Sequence, residues 1–84
     1  MRLRDENLTW REIDGETVLL DLAGSKYLTV NAAGTTLLHV LVEGADRDQL
    51  IAELVGAYAI GAEQAASDVD AFVAALESKG LLVS

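Results

Sequence analysis

The chain has neither cysteine nor proline, and its basic side chains are few. Without cysteine there is no disulfide framework and no thiolate chemistry, and redox usage says nothing of compartment. Six Lys and Arg stand against fourteen Asp and Glu, a formal charge of −8, so the long-range field repels polyanions. Nucleic acid and anionic membrane are therefore disfavoured partners. No apolar run approaches transmembrane length, and Met1-Arg2-Leu3-Arg4 carries the charge of a signal peptide without an apolar stretch behind it. A soluble cytoplasmic protein is expected. The single histidine, His39, sits in an apolar stretch with no carboxylate near it in sequence, and no Gly-x-Gly-x-x-Gly or P-loop pattern occurs. Asp68 and Asp70 are two apart and diverge on a helix, which is no metal site. These absences predict a non-enzyme with no cofactor and no metal.

What is present is a small, well-filled core. Of 84 residues, 51% are hydrophobic and 24% charged, the balance of one compact domain over residues 1–84. Leu8 to Ile13 and Glu16 to Leu22 flank Asp14-Gly15, a dipeptide that accepts the positive φ angles of a two-residue type I′ hairpin. Trp10 then lies opposite Leu19, and Ile13, Val18, Leu20 and Leu22 share the other face, which is the expected core face. A longer loop from Leu22 to Lys26 leads to a third strand ending at Val30. The same apolar logic places Leu28 and Val30 with Val18 and Leu20, and Tyr27 and Thr29 on the Trp10 side. The competing register pairs Asp21 with Lys26, an exposed ion pair of only ~0–1 kcal/mol.

Asn31 is placed to cap a helix running to Glu43, apolar almost all round and stopped by Gly44. Asp46 and Gln49 have capping-box spacing before a second, amphipathic helix through Tyr58. After the turn Ala59-Ile60-Gly61, a third helix spans about Ala62 to Lys79, with Ala66, Val69, Phe72, Val73 and Leu76 at helical spacing. Leu81 to Val83 close the core. The predicted fold is α+β: a three-stranded antiparallel β-meander followed by three α-helices, in a winged helix-turn-helix topology.

That topology raises a DNA-binding alternative, yet the third helix carries one basic residue, Lys79, against four acids, and would repel phosphate. A carrier protein is the other rival, but no serine has the sequence context that an arm-bearing serine needs. A protein-interaction domain remains. The third strand, Lys26 to Val30, is an edge whose only charged protection is Lys26. If the third helix packs beside it, backbone on one wall and apolar side chains such as Val69, Phe72 and Val73 on the other make a groove that an extended peptide enters as a further strand.

The ordered set Leu20-Asp21-Leu22, Gly24, Tyr27, Val30-Asn31, Gly34, Leu41, Gly44, Leu54, Val69, Phe72, Leu76 and Leu81 resembles the pyrroloquinoline-quinone chaperone (PqqD-like) family of leader-peptide recognition elements. The likeness runs from Thr9 to Val83 and is greatest to the small stand-alone form of lasso-peptide pathways. It implies a leader peptide of Tyr-x-x-Pro type, pairing antiparallel with Lys26, Tyr27, Leu28, Thr29 and Val30 and facing Ala66, Val69, Asp70 and Val73. It also implies a leader-cleaving cysteine protease supplied in trans, and delivery to a cyclase.

Overall fold

Asp14 and Gly15 both adopt left-handed backbone, φ 54° and 82°, as the type I′ turn demands. They join β2 (Leu8–Ile13) to β3 (Glu16–Asp21), with Trp10 opposite Leu19, and β4 (Lys26–Val30) completes a sheet of order β2-β3-β4. This is a computed structural model, describing residues 1–83; Ser84, the last residue of the expected domain, lies outside them. The helices α1 (Ala32–Leu41), α2 (Arg47–Tyr58) and α3 (Ala62–Ser78) follow in order, so the fold is α+β as predicted. A second, two-stranded sheet pairs β1 (Arg2–Leu3) with β5 (Leu82–Val83), which the sequence did not announce.

The connection between β3 and β4 corrects the expected register. The turn spans Leu22 to Ser25, and it closes Asp21 against Lys26, Leu19 against Leu28 and Thr17 against Val30. Leu20 pairs with Tyr27, so Tyr27 and Thr29 lie with Val18 and Leu20, not with Trp10. The inward face is consequently Thr17, Leu19, Asp21, Leu28 and Val30. Leu19 is 1% exposed, while Leu20, Leu22 and Ile13 are 43%, 62% and 57% exposed. Within β3 and the residue after it, the face richer in apolar residues, Val18, Leu20 and Leu22, is the outer one.

Two polar side chains make that inversion affordable because each has partners of its own. Thr17 is fully buried, and its Oγ1 hydrogen-bonds Thr35 Oγ1 on α1 at 2.8 Å. Asp21 Oδ1 accepts from Arg4 Nη2 at 2.6 Å and from the Ala23 and Gly24 amides at 3.1 and 3.2 Å. The register is therefore held by an Asp-capped turn and a long-range ion pair, not by the Lys26 ammonium. A buried polar group with a full set of partners costs little, whereas an unpaired one costs about 1–3 kcal/mol.

Asn31 caps α1, its Oδ1 accepting from the Gly34 amide at 2.9 Å, and Leu37, Leu38 and Leu41 carry the helix through the centre of the core. α1 ends at Leu41, short of the expected Glu43, and Gly44 then turns at φ 106°. Asp46 and Gln49 form the expected capping box on α2. α3 stops one residue early, at Ser78, with Lys79 as its C-cap. Ala65, Val69 and Leu76 of α3 meet Leu50 and Leu54 of α2 in the same buried cluster, closed by Leu3 and Leu81.

Gly34 sets the spacing between α1, β4 and α3. A Cβ there would collide with Val30 Cγ1 and stand 3.0 Å from Phe72 Cε1. Gly34→Ala is expected to cost about 1–3 kcal/mol through overpacking, lowering the midpoint of a thermal melt by several degrees. Acid should reveal the Asp21 clamp. Arg4, chiefly by its hydrogen bond, and the Gly24 amide hold the Asp21 carboxyl below the usual carboxylate range. A carboxyl depressed in the folded state stabilises fully above its unfolded pKa and loses that contribution as pH falls through its folded one. Asp21→Asn should therefore lower the melting temperature at pH 7 and make its fall below about pH 4 shallower than in the parent.

Candidate functional site

In an antiparallel ladder successive residues turn their amides to alternate sides. The Leu22 amide donates to the Asn7 carbonyl at 2.8 Å, so Leu22, Leu20 and Val18 face β2, and Asp21, Leu19 and Thr17 bond β4 opposite Lys26, Leu28 and Val30. The backbone N–H and C=O groups of Tyr27 and Thr29 are left on the open edge of β4. The register corrected above thus decides which amides are free.

Beside that edge runs a cleft. Leu28, Thr29, Val30 and Asn31 form one wall and Phe72 and Ala75 of α3 the other, around a space of about 160 Å³. At Asn31 and Phe72 it passes into a larger hollow of about 370 Å³ bounded by Ala33, Gly34, Leu37, Leu54, Asp68 and Ala71. At its other end, over Leu19, Leu28 and Leu81 with Lys26, Tyr27 and Lys79 alongside, it closes to a crevice too narrow for a water molecule. Along α3 the wall is Asp68, Ala71, Phe72, Ala75 and Lys79, a stripe at three- and four-residue spacing.

The ten predicted site residues divide accordingly. Lys26, Tyr27, Leu28, Thr29 and Val30 lie on the edge strand, with the Leu28 and Val30 side chains turned to the core face and Tyr27 to the outer face, 68% exposed. Phe72 lines the cleft. Val69 is fully buried in the core, and its side chain is not available to a ligand. Val73 borders a separate hollow with Met1, Glu77, Leu82 and Val83. Asp70 is engaged with Arg47 of α2, whose Nε and Nη2 donate to it at 2.8 and 3.0 Å. That hydrogen bonding holds the Asp70 carboxyl below its usual range. Ala66 is half-buried and borders none of the three sections of the cleft.

Of the α3 residues expected at the site, Phe72 alone borders this cleft. Val69 and Leu76 point into the core, and the stripe to one side (Ala66, Asp70, Val73, Glu77) looks away from β4, while the stripe to the other side (Asp68, Phe72, Ala75, Lys79) looks towards it. The cleft is also bordered by Asn31, Gly34, Asp68, Ala71, Ala75 and Lys79, which the sequence reading does not name as site residues. The small residues Ala71 and Ala75 beside Phe72 were the available signal, since a wall that admits another chain needs room.

Nothing in the cleft pairs a nucleophile with a base. His39 lies elsewhere, exposed on α1 and paired with Glu12 of β2. Among the described residues no group of three or more His, Asp or Glu is placed to hold a metal ion, and no helix is long and apolar enough to cross a membrane. What the cleft offers is two peptide units on one wall and apolar surface on the other, which is suited to gripping an extended chain.

Two solved structures share the whole architecture. One, described as TbiB1 in complex with the TbiA(beta) leader peptide, superposes with a TM-score of 0.85 at 27% identity, covering 98% of this chain and 94% of that one. The other, described as lasso peptide synthetase B1 complexed with the leader peptide, gives 0.81 at 24% identity over 99% and 96% and speaks to the fold. No protein of curated function matches the chain. The family model for coenzyme PQQ synthesis protein D matches residues 16–82, well over half of the chain, and the chain belongs to this PqqD family.

Proposed function

We propose that this protein is a recognition domain that binds the leader segment of a ribosomally synthesised precursor peptide of the lasso type. The leader adds to β4 as a further antiparallel strand and lies in the cleft against α3. The observation that carries this reading is the unshared pair of peptide units at Tyr27 and Thr29, facing Phe72 and Ala75 across a cleft. The two similar structures, both described as leader-peptide complexes, support it. The domain performs no bond chemistry: it presents the precursor to a leader-cleaving cysteine protease supplied as a separate protein, and helps deliver it to a cyclase. The aromatic ring of a Tyr-x-x-Pro leader is accommodated between the cleft walls, where Gly34 and Ala71 leave space beside Phe72.

Fluorescence polarisation with a labelled Tyr-x-x-Pro leader tests the reading directly. The expected dissociation constant lies between roughly 10 nM and a few µM, about −8 to −11 kcal/mol. Absence of saturable binding at ~100 µM would end it. Replacing the leader Tyr by Ala should weaken binding by roughly 30- to 1,000-fold, or about 2–4 kcal/mol, and raising salt should matter much less.

Proline scanning of β4 tests the docking mode, because proline deletes a backbone N–H. Tyr27→Pro and Thr29→Pro remove outward amides and should stay folded while losing about 1–3 kcal/mol of leader affinity. Lys26→Pro and Leu28→Pro remove amides that bond β3 and should lose stability outright. Circular dichroism melts beside polarisation titrations separate the two pairs. If the binding loss follows stability in all four, strand addition is the wrong mode.

A further inference from the structure

The chain has two lysines, and both border the same end of the cleft. Lys26 opens β4, and Lys79 is the C-cap of α3; the two border one closed crevice over Leu19, Leu28 and Leu81, at which the cleft ends. Among the described residues neither is in an ion pair. Arg4 also reaches this end, donating from Nη1 to the Gly80 carbonyl, and Asp21 is the carboxylate within the section. Asp21 is committed to Arg4 at 2.6 Å, so its charge is answered and the two lysines are left over. At the opposite end the hollow past Asn31 is bounded by Asp68, which accepts a hydrogen bond from Gln64 Nε2 and no salt bridge.

A chain with net charge −8 has thus gathered half of its six basic residues, Arg4, Lys26 and Lys79, at one end of its cleft. Solvated charges on the remaining surface would serve solubility wherever they stood. Two unpaired ammonium groups at the rim where the cleft closes serve an anionic group that leaves the cleft over them.

Resting on the peptide-docking reading above, we infer that Lys26 and Lys79 form a carboxylate-reading end that selects peptides carrying Asp or Glu just C-terminal to the docked strand, and thereby fixes the direction in which the peptide lies. The direction follows from geometry. β4 runs from Lys26 to Val30, so an antiparallel partner begins beside Val30 and Asn31 and leaves past Lys26. Its C-terminal continuation meets the two lysines, and its N-terminal flank passes Asp68, where a basic residue is favoured. The ladder alone tolerates many sequences, because it reads backbone. The charged ends add the discrimination, since a peptide laid the other way sets like charges together at both ends.

A random dodecapeptide library displayed on phage, selected in parallel on the wild-type protein and on the Lys26→Glu, Lys79→Glu double variant, tests this. Wild type should enrich peptides with an aromatic or aliphatic stretch followed by Asp or Glu, and the double variant should enrich Lys or Arg at that place. In polarisation titrations the best wild-type-selected peptide should bind the double variant about tenfold or more weakly, and exchanging its acidic residue for Lys should restore most of that loss. Both lysines lie outside every salt bridge among the described residues, so a Lys26→Gln, Lys79→Gln pair should melt nearly as the parent does and weaken binding less than the reversal, whose new carboxylate opposite Asp21 should lower the melting temperature by a few degrees and leave the protein folded at the titration temperature. Enrichment without an acidic preference, or with acids N-terminal to the stretch, overturns the inference while leaving peptide docking intact. No enrichment on either protein overturns the docking reading and this inference with it.

Discussion

One carboxylate oxygen determines how the sheet is read. Asp21 Oδ1 accepts from the Arg4 guanidinium and from the two amides of the turn after β3, and those bonds close the turn at Asp21 and Lys26. A one-residue slip of a strand exchanges every side chain between faces and every amide between edges. With Asp21 clamped, Leu19, Leu28 and Val30 go to the core and Tyr27 and Thr29 turn their amides out. Fixing the turn therefore fixes which amides the open edge presents. The guanidinium comes from just beyond β1, which is itself held by β5, so the two ends of the described chain stand behind the register of its middle.

A second constraint makes the edge a cleft. α1 has to start close beneath β4 and beside α3, and Gly34 permits this because any side chain there meets Val30 and Phe72. Phe72 is half-buried, and its ring both bounds the core and forms the wall opposite Val30. The small side chains of Ala71 and Ala75 on either side keep α3 from filling the gap. The contacts of Gly34, Val30 and Phe72 that pack the core are thus the ones that shape the cleft.

The features that read correctly from the sequence are those whose causes are local. Asp14-Gly15 needs only its own φ angles, Asn31 caps an amide three residues on, and Asp46 with Gln49 closes a box within one turn. The inward face of the sheet has a cause far away in the chain. Counted as isolated alternation, Val18, Leu20 and Leu22 outweigh Thr17, Leu19 and Asp21. The balance reverses once Thr35 and Arg4 arrive to satisfy the polar pair. The flank of α3 that lines the cleft was obscure for a related reason. With Val69 and Leu76 in the core, periodicity leaves two stripes on equal terms, and only the position of β4 relative to α3 distinguishes them. That β4 is an edge strand and that Phe72 lies beside it are, by contrast, legible in advance, since an end strand with little charge protection and a lone phenylalanine on the facing helix are visible without knowing the register.

An open edge could take a foreign strand or a second copy of the same chain, and the two ask different things of the space beside β4. A single extended peptide needs one strand spacing beyond β4, about 4.8 Å, and finds α3 forming the opposite wall. A second copy approaching by its own β4 must bring its own α3, and the two helices compete for the same narrow space. Charge opposes it as well: two bodies of formal charge −8 must come together, and an antiparallel meeting of the β4 edges brings no carboxylate of either strand to the other's Lys26. Natural edges are commonly protected by charge, proline or a covering element. Here α3 stands across the cleft from the edge, and Phe72 and Ala75 form the wall that any added strand has to meet.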